Sequence, residues 1–173
     1  KINRIYSNVA RFKESTFVNM EDVSSVDRQL LFERHLIGQE HTASSKARGL
    51  IISQDEQVAI MINEEDHLRM QVLVSGFDLK RCWRLIDNID NELSRKVSFA
   101  YSDDLGYLTS CPTNVGTGMR ASCMLHLPAL IFTKRIGKIL ELLARISFTT
   151  RGLFGEGTQA LGNFFQISNQ VSL

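Results

Sequence analysis

Residues Gly49 to Val74 read GLIISQDEQVAIMINEEDHLRMQVLV, and their patterning decides the fold class. Gly49–Ser53 and Gln57–Asn63 are two short apolar runs around the polar turn Gln54-Asp55-Glu56, the form of two strands in a hairpin. From His67 to Val74 apolar residues alternate, so Leu68, Met70, Val72 and Val74 share one face of a further strand. Helical spacing follows. Over Asp78 to Arg95, Leu79, Cys82, Trp83, Ile86, Ile89 and Leu93 form one apolar stripe, with Asp78 as its N-cap. Hairpins followed by single helices predict an α+β fold, with a largely antiparallel sheet flanked by helices.

The same reading extends outward. Glu21 to Ile37 is expected to be helical, capped by Asp22 or Ser24, with Val26, Leu30 and Leu31 on its apolar side. Val97–Tyr101 is a short strand candidate. Ala121, Cys123, Leu125 and Leu127 alternate with Ser122, Met124 and His126, which predicts another strand. Thr133 to Arg145 is amphipathic through Ile136, Ile139, Leu140 and Leu143, and Ser147–Thr150 and Phe164–Ser168 add two strands. No repeat, low-complexity tract or linker interrupts the chain, so residues 1–173 are expected to form a single domain.

Bulk properties narrow the function classes. The 173 residues suffice for a sizeable core. The net charge of +1 gives no electrostatic case for nucleic acid or acidic membranes, and no run approaches a membrane span. Cys82, Cys111 and Cys123 form neither a CxxC pair nor zinc spacing. Scattered, odd-numbered thiols and the lack of a secretory pattern make the cytoplasm the expected compartment. Four scattered histidines argue against a metal site.

Three stretches carry chemistry. In Tyr107 to Leu130, YLTSCPTNVGTGMRASCMLHLPAL, Cys111 opens a loop, Gly116 and Gly118 loosen it, and Arg120 closes it. Glycine lets backbone approach a ligand and take φ > 0. Arginine offers a planar cation suited to phosphate oxygens, and a thiol beside it is a candidate thiolate. A small buried hydrophobe is the alternative for Cys111. In Ile62 to Arg69, INEEDHLR, three consecutive carboxylates are either a solvated turn or a grip for a guanidinium, with Arg69 directed at phosphate. In Arg151 to Gly157, RGLFGEG, a cation and a carboxylate flank a glycine-rich turn.

These three motifs, in their order along the chain, resemble the phosphagen (ATP:guanidino) kinases, and most closely their bacterial branch, the protein-arginine kinases. Asn163 to Leu173, NFFQISNQVSL, resembles that branch too. The resemblance covers roughly Leu31 to Leu173. It implies an antiparallel sheet flanked by helices, like the catalytic domain of glutamine synthetase. It implies transfer of the γ-phosphoryl of ATP, accompanied by Mg²⁺, to a guanidinium. Glu65, Cys111 and Glu156 would grip that guanidinium. Arg69, Arg120 and Arg151 would bind nucleotide phosphates, with Ala121, Ser122, Gly152 and Gly155 lining the same site. His35, in ERHLIG, matches a histidine that lies near the nucleotide in the bacterial branch. Phe154 stands where some free-arginine kinases carry arginine, which favours arginine presented by a protein. The resemblance thus implies protein substrates and admits an activator protein or a homodimer.

The family pattern also includes an S-x-R-I-R motif and a longer C-terminal region, neither of which occurs between Lys1 and Leu173. The chain is therefore expected to be a partial catalytic domain. Two rivals remain at this point: a degenerate relative acting as a non-catalytic binding module, and a free-arginine kinase.

Overall fold

Both faces of β2 (Gly49–Ile52) and β3 (Val58–Ile62) are covered, and this explains their unbroken apolar sequence. A strand buried on one side alternates; one buried on both reads as a continuous run. In this computed structural model, which describes residues 12, 14–152 and 161–172, the contacts sort into two compact units, Lys1–Phe99 and Ala100–Leu173.

The first unit holds a four-stranded antiparallel sheet in the order β1 (Thr16–Asn19), β2, β3, β4 (Leu68–Val72). On one face Ile51, Val58 and Ile60 pack with Phe12 and with Ile89 and Leu93 of α3 (Leu79–Ser94). Leu68, Met70 and Val72 join that core, as their alternation predicts. On the other face Leu50, Ala59 and Met61 pack with Met20, Leu36 and Ile37. Each such fully buried side chain contributes roughly 1.5–3 kcal/mol.

The helices depart from the sequence reading in instructive ways. The Glu21–Ile37 segment is not one helix. It forms a 3₁₀ turn, Met20–Asp22, and then α1 (Ser25–Glu33), whose N-cap Ser24 accepts from the Asp27 N–H. α1 stops because His35 takes φ 59. Its N–H bonds the Phe32 carbonyl at 2.9 Å, and Leu36 N–H bonds that of Leu31 at 2.9 Å. These two bonds make a Schellman ending with histidine in the usual glycine position. α1 turns Leu31 and Phe32 inward and leaves Val26 75% exposed. A further short helix, α2 (Gln39–Ala43), follows. α3 has the expected cap, with Asp78 accepting from Arg81 N–H at 3.0 Å, but buries only its later turns: Trp83 is 51% exposed.

The second unit holds a two-stranded ribbon, β5 (Tyr101–Ser102) with β6 (Gly106–Tyr107). Its main sheet is antiparallel, in the order β7 (Ser122–His126), β9 (Phe164–Asn169), β8 (Phe148–Arg151). Val97–Phe99 is not a strand; pairing begins at Tyr101. The Thr133–Arg145 helix is also displaced. Pro128 starts α4 (Pro128–Phe132), Lys134 at φ 54 ends it, and α5 runs Ile136–Arg145. Proline at the first helical position lacks only an N–H that has no intrahelical partner there. No helix among the described residues is long and apolar enough to cross a membrane.

Candidate active site

The acidic motif lies at the tip of the β3–β4 hairpin. Asn63 adopts φ 57, its N–H bonds the His67 carbonyl at 3.0 Å, and its side-chain amide bonds the Ala47 carbonyl at 2.8 Å. This closes the tip and separates the three carboxylates. Glu64 folds inward until its side chain is 4% exposed, while Glu65 is exposed and Asp66 half-buried. Glu64 Oε1 accepts from Arg69 Nη1 at 2.8 Å, and Glu64 Oε2 accepts from Glu65 N–H at 2.8 Å. The Arg69 side chain stays 51% exposed.

Arg69 and Gln71 stand two apart on β4, so they share the face opposite Leu68 and Met70. Gln71 Nε2 donates to the His35 carbonyl at 2.6 Å. Gly38 lies against the Glu64–Arg69 pair, and its N–H reaches Met61 Sδ at 3.3 Å. The His35–Gly38 segment is thereby fastened across β4, which brings His35 and Arg69 to one face of one sheet. Burial lowers the pKa of His35.

Sequence reasoning gave His41 no role, yet it is fully buried beside this motif. Its Nε2 lies 3.2 Å from the Gly49 carbonyl oxygen, and Nδ1 has no hydrogen-bond partner among the described residues. Its pKa is lowered, first by burial and then by the Arg48 and Arg69 cations, against raising contributions from the Gly49 bond and Glu64. The signal that would have found it is only its three-dimensional neighbourhood.

In the second unit Cys111 is half-buried and caps the 3₁₀ turn Pro112–Asn114. Its Sγ lies 3.0 Å from Thr113 Oγ1, and its carbonyl accepts from Thr109 Oγ1 at 2.7 Å. Gly116 and Gly118 take φ 110 and 62, the conformations expected of them. A main-chain pair, Tyr107 N–H to Gly116 O at 2.8 Å and Gly116 N–H to Tyr107 O at 3.3 Å, ties the loop to β6. Arg120 is exposed just before β7. The backbone on either side of it is held by one residue missed in the sequence, Asn169. The Asn169 side chain accepts from Ala121 N–H at 2.8 Å and donates to the Met119 carbonyl at 3.1 Å.

Across the sheet, Gln166 pairs in register with Met124 on one side and Arg151 on the other, and Ser168 pairs with Ser122 and Thr149. Residues opposite each other project to the same face. Ser122, Gln166 and Arg151 thus share a face, and Gln166 Nε2 donates to Ser122 Oγ at 2.9 Å. Gly152 is buried at the end of β8. Gly155 and Glu156, with Phe154, lie outside the described residues.

The chain matches, over residues 1–173, the model of the ATP:guanido phosphotransferase C-terminal catalytic domain. It belongs to that family. Among relatives of this ATP:guanido phosphotransferase chain, the protein-arginine kinase of Desulforamulus reducens is 51% identical over 154 residues, which is 89% of this chain and 43% of that protein. The protein-arginine kinase of Symbiobacterium thermophilum is 50% identical over 154 residues, 89% of this chain and 44% of that protein. The chain thus spans less than half the length of these curated relatives. Among solved structures, the duplicated taurocyamine kinase of Schistosoma mansoni, with bound transition-state-analogue components, matches with TM-score 0.78 and 30% identity, covering 99% of this chain and 25% of that one. Lombricine kinase matches with TM-score 0.77 and 26% identity, covering 99% and 51%. Both are phosphagen kinases, in keeping with the antiparallel sheets and flanking helices.

Proposed function

We propose that this chain supplies the catalytic part of a protein-arginine kinase. The reading is carried by one observation: at the hairpin tip one withdrawn carboxylate, Glu64, holds both the half-exposed Arg69 guanidinium and the main-chain N–H of the exposed Glu65. Guanidinium phosphorylation needs a carboxylate to take a proton and cations to hold the phosphate oxygens. For the acceptor, support comes from about half of the residues being identical to those of two protein-arginine kinases.

In this reading Glu65, with Glu156 and Cys111, holds the acceptor guanidinium in line with the γ-phosphorus. Glu65 takes the proton from the attacking nitrogen. A nitrogen–phosphorus bond forms as the bond from phosphorus to the bridging oxygen breaks, and ADP leaves with that electron pair. Arg69, Arg120 and Arg151 offset the charge spread over the phosphoryl oxygens. His35, Ala121, Ser122, Gly152 and Gly155 complete the nucleotide site. Mg²⁺ would accompany the nucleotide, whose phosphates supply its oxygen ligands.

The test is to incubate the full chain with ATP and either an unfolded protein or free arginine. Acid-labile phosphate on protein arginine, located by mass spectrometry, is the expected result. Preference for free arginine would reassign the acceptor.

A further inference from the structure

Glu64, Glu65 and Asp66 stand in a row, but Glu64 alone is withdrawn almost completely from water. A carboxylate so placed is costly unless it is paired and hydrogen-bonded. Both of its oxygens are engaged, and with different partners. Oε1 accepts from the guanidinium of Arg69 at 2.8 Å, and Oε2 accepts from the main-chain N–H of Glu65 at 2.8 Å.

Gly38 completes the arrangement from the other side. A Cβ at this position would lie 2.9 Å from Glu64 Oε1 and 3.2 Å from Arg69 Nη1. The backbone of Gly38 has φ −84, which any residue can adopt. Any larger residue there would push the Glu64–Arg69 pair aside, so glycine serves for room, not for conformation.

We propose that Glu64 is a positioning residue that couples the two halves of the site, setting the Arg69 guanidinium with one oxygen and the Glu65 main chain with the other. The proposal rests on the reading of Arg69 as a phosphate ligand and Glu65 as a guanidinium ligand. Glutamate suits the task because a carboxylate offers two acceptors. Glutamine offers one, and its NH₂ would have to face either the Arg69 cation or the Glu65 N–H. Gly38 acts as the clearance that lets the pair lie flat against the His35–Gly38 segment.

The experiment uses the full chain and measures the Kd for ATP by calorimetry and the KM for a protein-arginine acceptor. Glu64→Gln is expected to weaken both, each by about tenfold or more, the scale of a lost charge-assisted hydrogen bond. Gly38→Ala removes no charge and is expected to move both constants in the same direction, by displacing the pair. It decides the matter if Glu64→Gln does not fold, as judged by circular dichroism. Glu65→Gln is the contrast, with ATP affinity retained. A folded Glu64→Gln or Gly38→Ala that changes only one of the two constants, or neither, overturns the coupling. If Arg69→Ala weakens ATP binding while those variants do not, the coupling alone falls. If Arg69→Ala binds ATP like the wild type, the phosphate-ligand reading falls and the coupling with it.

Discussion

In the first unit, β2 and β3 bury residues on both faces, whereas β7 in the second unit alternates exposed with half-buried ones. The consequence is a division of labour. Among the described residues the doubly covered sheet has no open face around β2 and β3, so the groups proposed to act appear where the chain leaves it, at the Asn63–His67 tip, and on β4 at its edge. The three-stranded sheet keeps a mixed face on which Ser122, Gln166 and Arg151 project beside Met124. In the first unit the proposed groups thus sit on a hairpin tip and an edge strand, and in the second on a strand surface and a glycine loop. Loops positioned by a rigid scaffold are where such chemistry concentrates.

The largest effect that tests this contrast is chemical. Glu65→Gln, at the tip of the doubly covered sheet, is expected to lower kcat by about a hundredfold or more, the range of a lost general base, with ATP affinity close to wild type. Glu156→Gln should share that split. A loss of ATP affinity equal to that of Arg120→Ala would reassign either carboxylate to the nucleotide.

Packing gives the next test. Ile60→Ala removes a side chain buried between β3 and α3 and should cost about 2–5 kcal/mol in denaturant unfolding. Met124→Ala, on the exposed face of β7, should cost less than about 1 kcal/mol. Equal losses would mean that the open face of β7 is covered in solution.

A smaller effect is expected at the loop. Asn169→Ala removes the two bonds that hold Met119 and Ala121, a loss of about 1–3 kcal/mol. It should weaken ATP binding several-fold by freeing the backbone that carries Arg120, with little change in acceptor KM. Unchanged ATP affinity would separate Asn169 from the nucleotide.

The smallest effect concerns pH. His41 has a lowered pKa in the folded state, chiefly through burial, so the unfolded chain binds its proton more readily. Stability from this group is present above its ordinary value near 6.5 and is lost as pH falls from there through the lowered folded value. His41→Gln should flatten that part of the stability–pH profile. An unaltered slope would place the acid sensitivity elsewhere, with His35 the next group to test.

Much of this architecture is legible in the residues. The runs Leu50–Ile52 and Val58–Ile62, the alternation on β4 and β7 and the Asp78 cap all stand where periodicity puts them. Gly116 and Gly118 take the positive φ that their place in the loop suggests. What periodicity misses is set by partners far along the chain. Gln71 reaches back to His35, Asn169 reaches back to Met119 and Ala121, and His41 is buried against Gly49 and the acidic motif. Periodicity overreads the length of α1, because nothing about a histidine marks a left-handed helix ending. The withdrawal of Glu64 from its two acidic neighbours is equally silent in INEEDHLR, since it depends on Gly38.

The left-handed ending at His35 has a practical corollary. When deleting a side chain also disturbs the backbone that carries it, lost affinity is ambiguous. Here the backbone already sits where glycine is at ease, at φ 59, and Gln71 grips the main-chain carbonyl, which glycine also possesses. His35→Gly therefore subtracts the imidazole alone and relieves the turn that remains. Whatever nucleotide affinity disappears in that variant belongs to the ring.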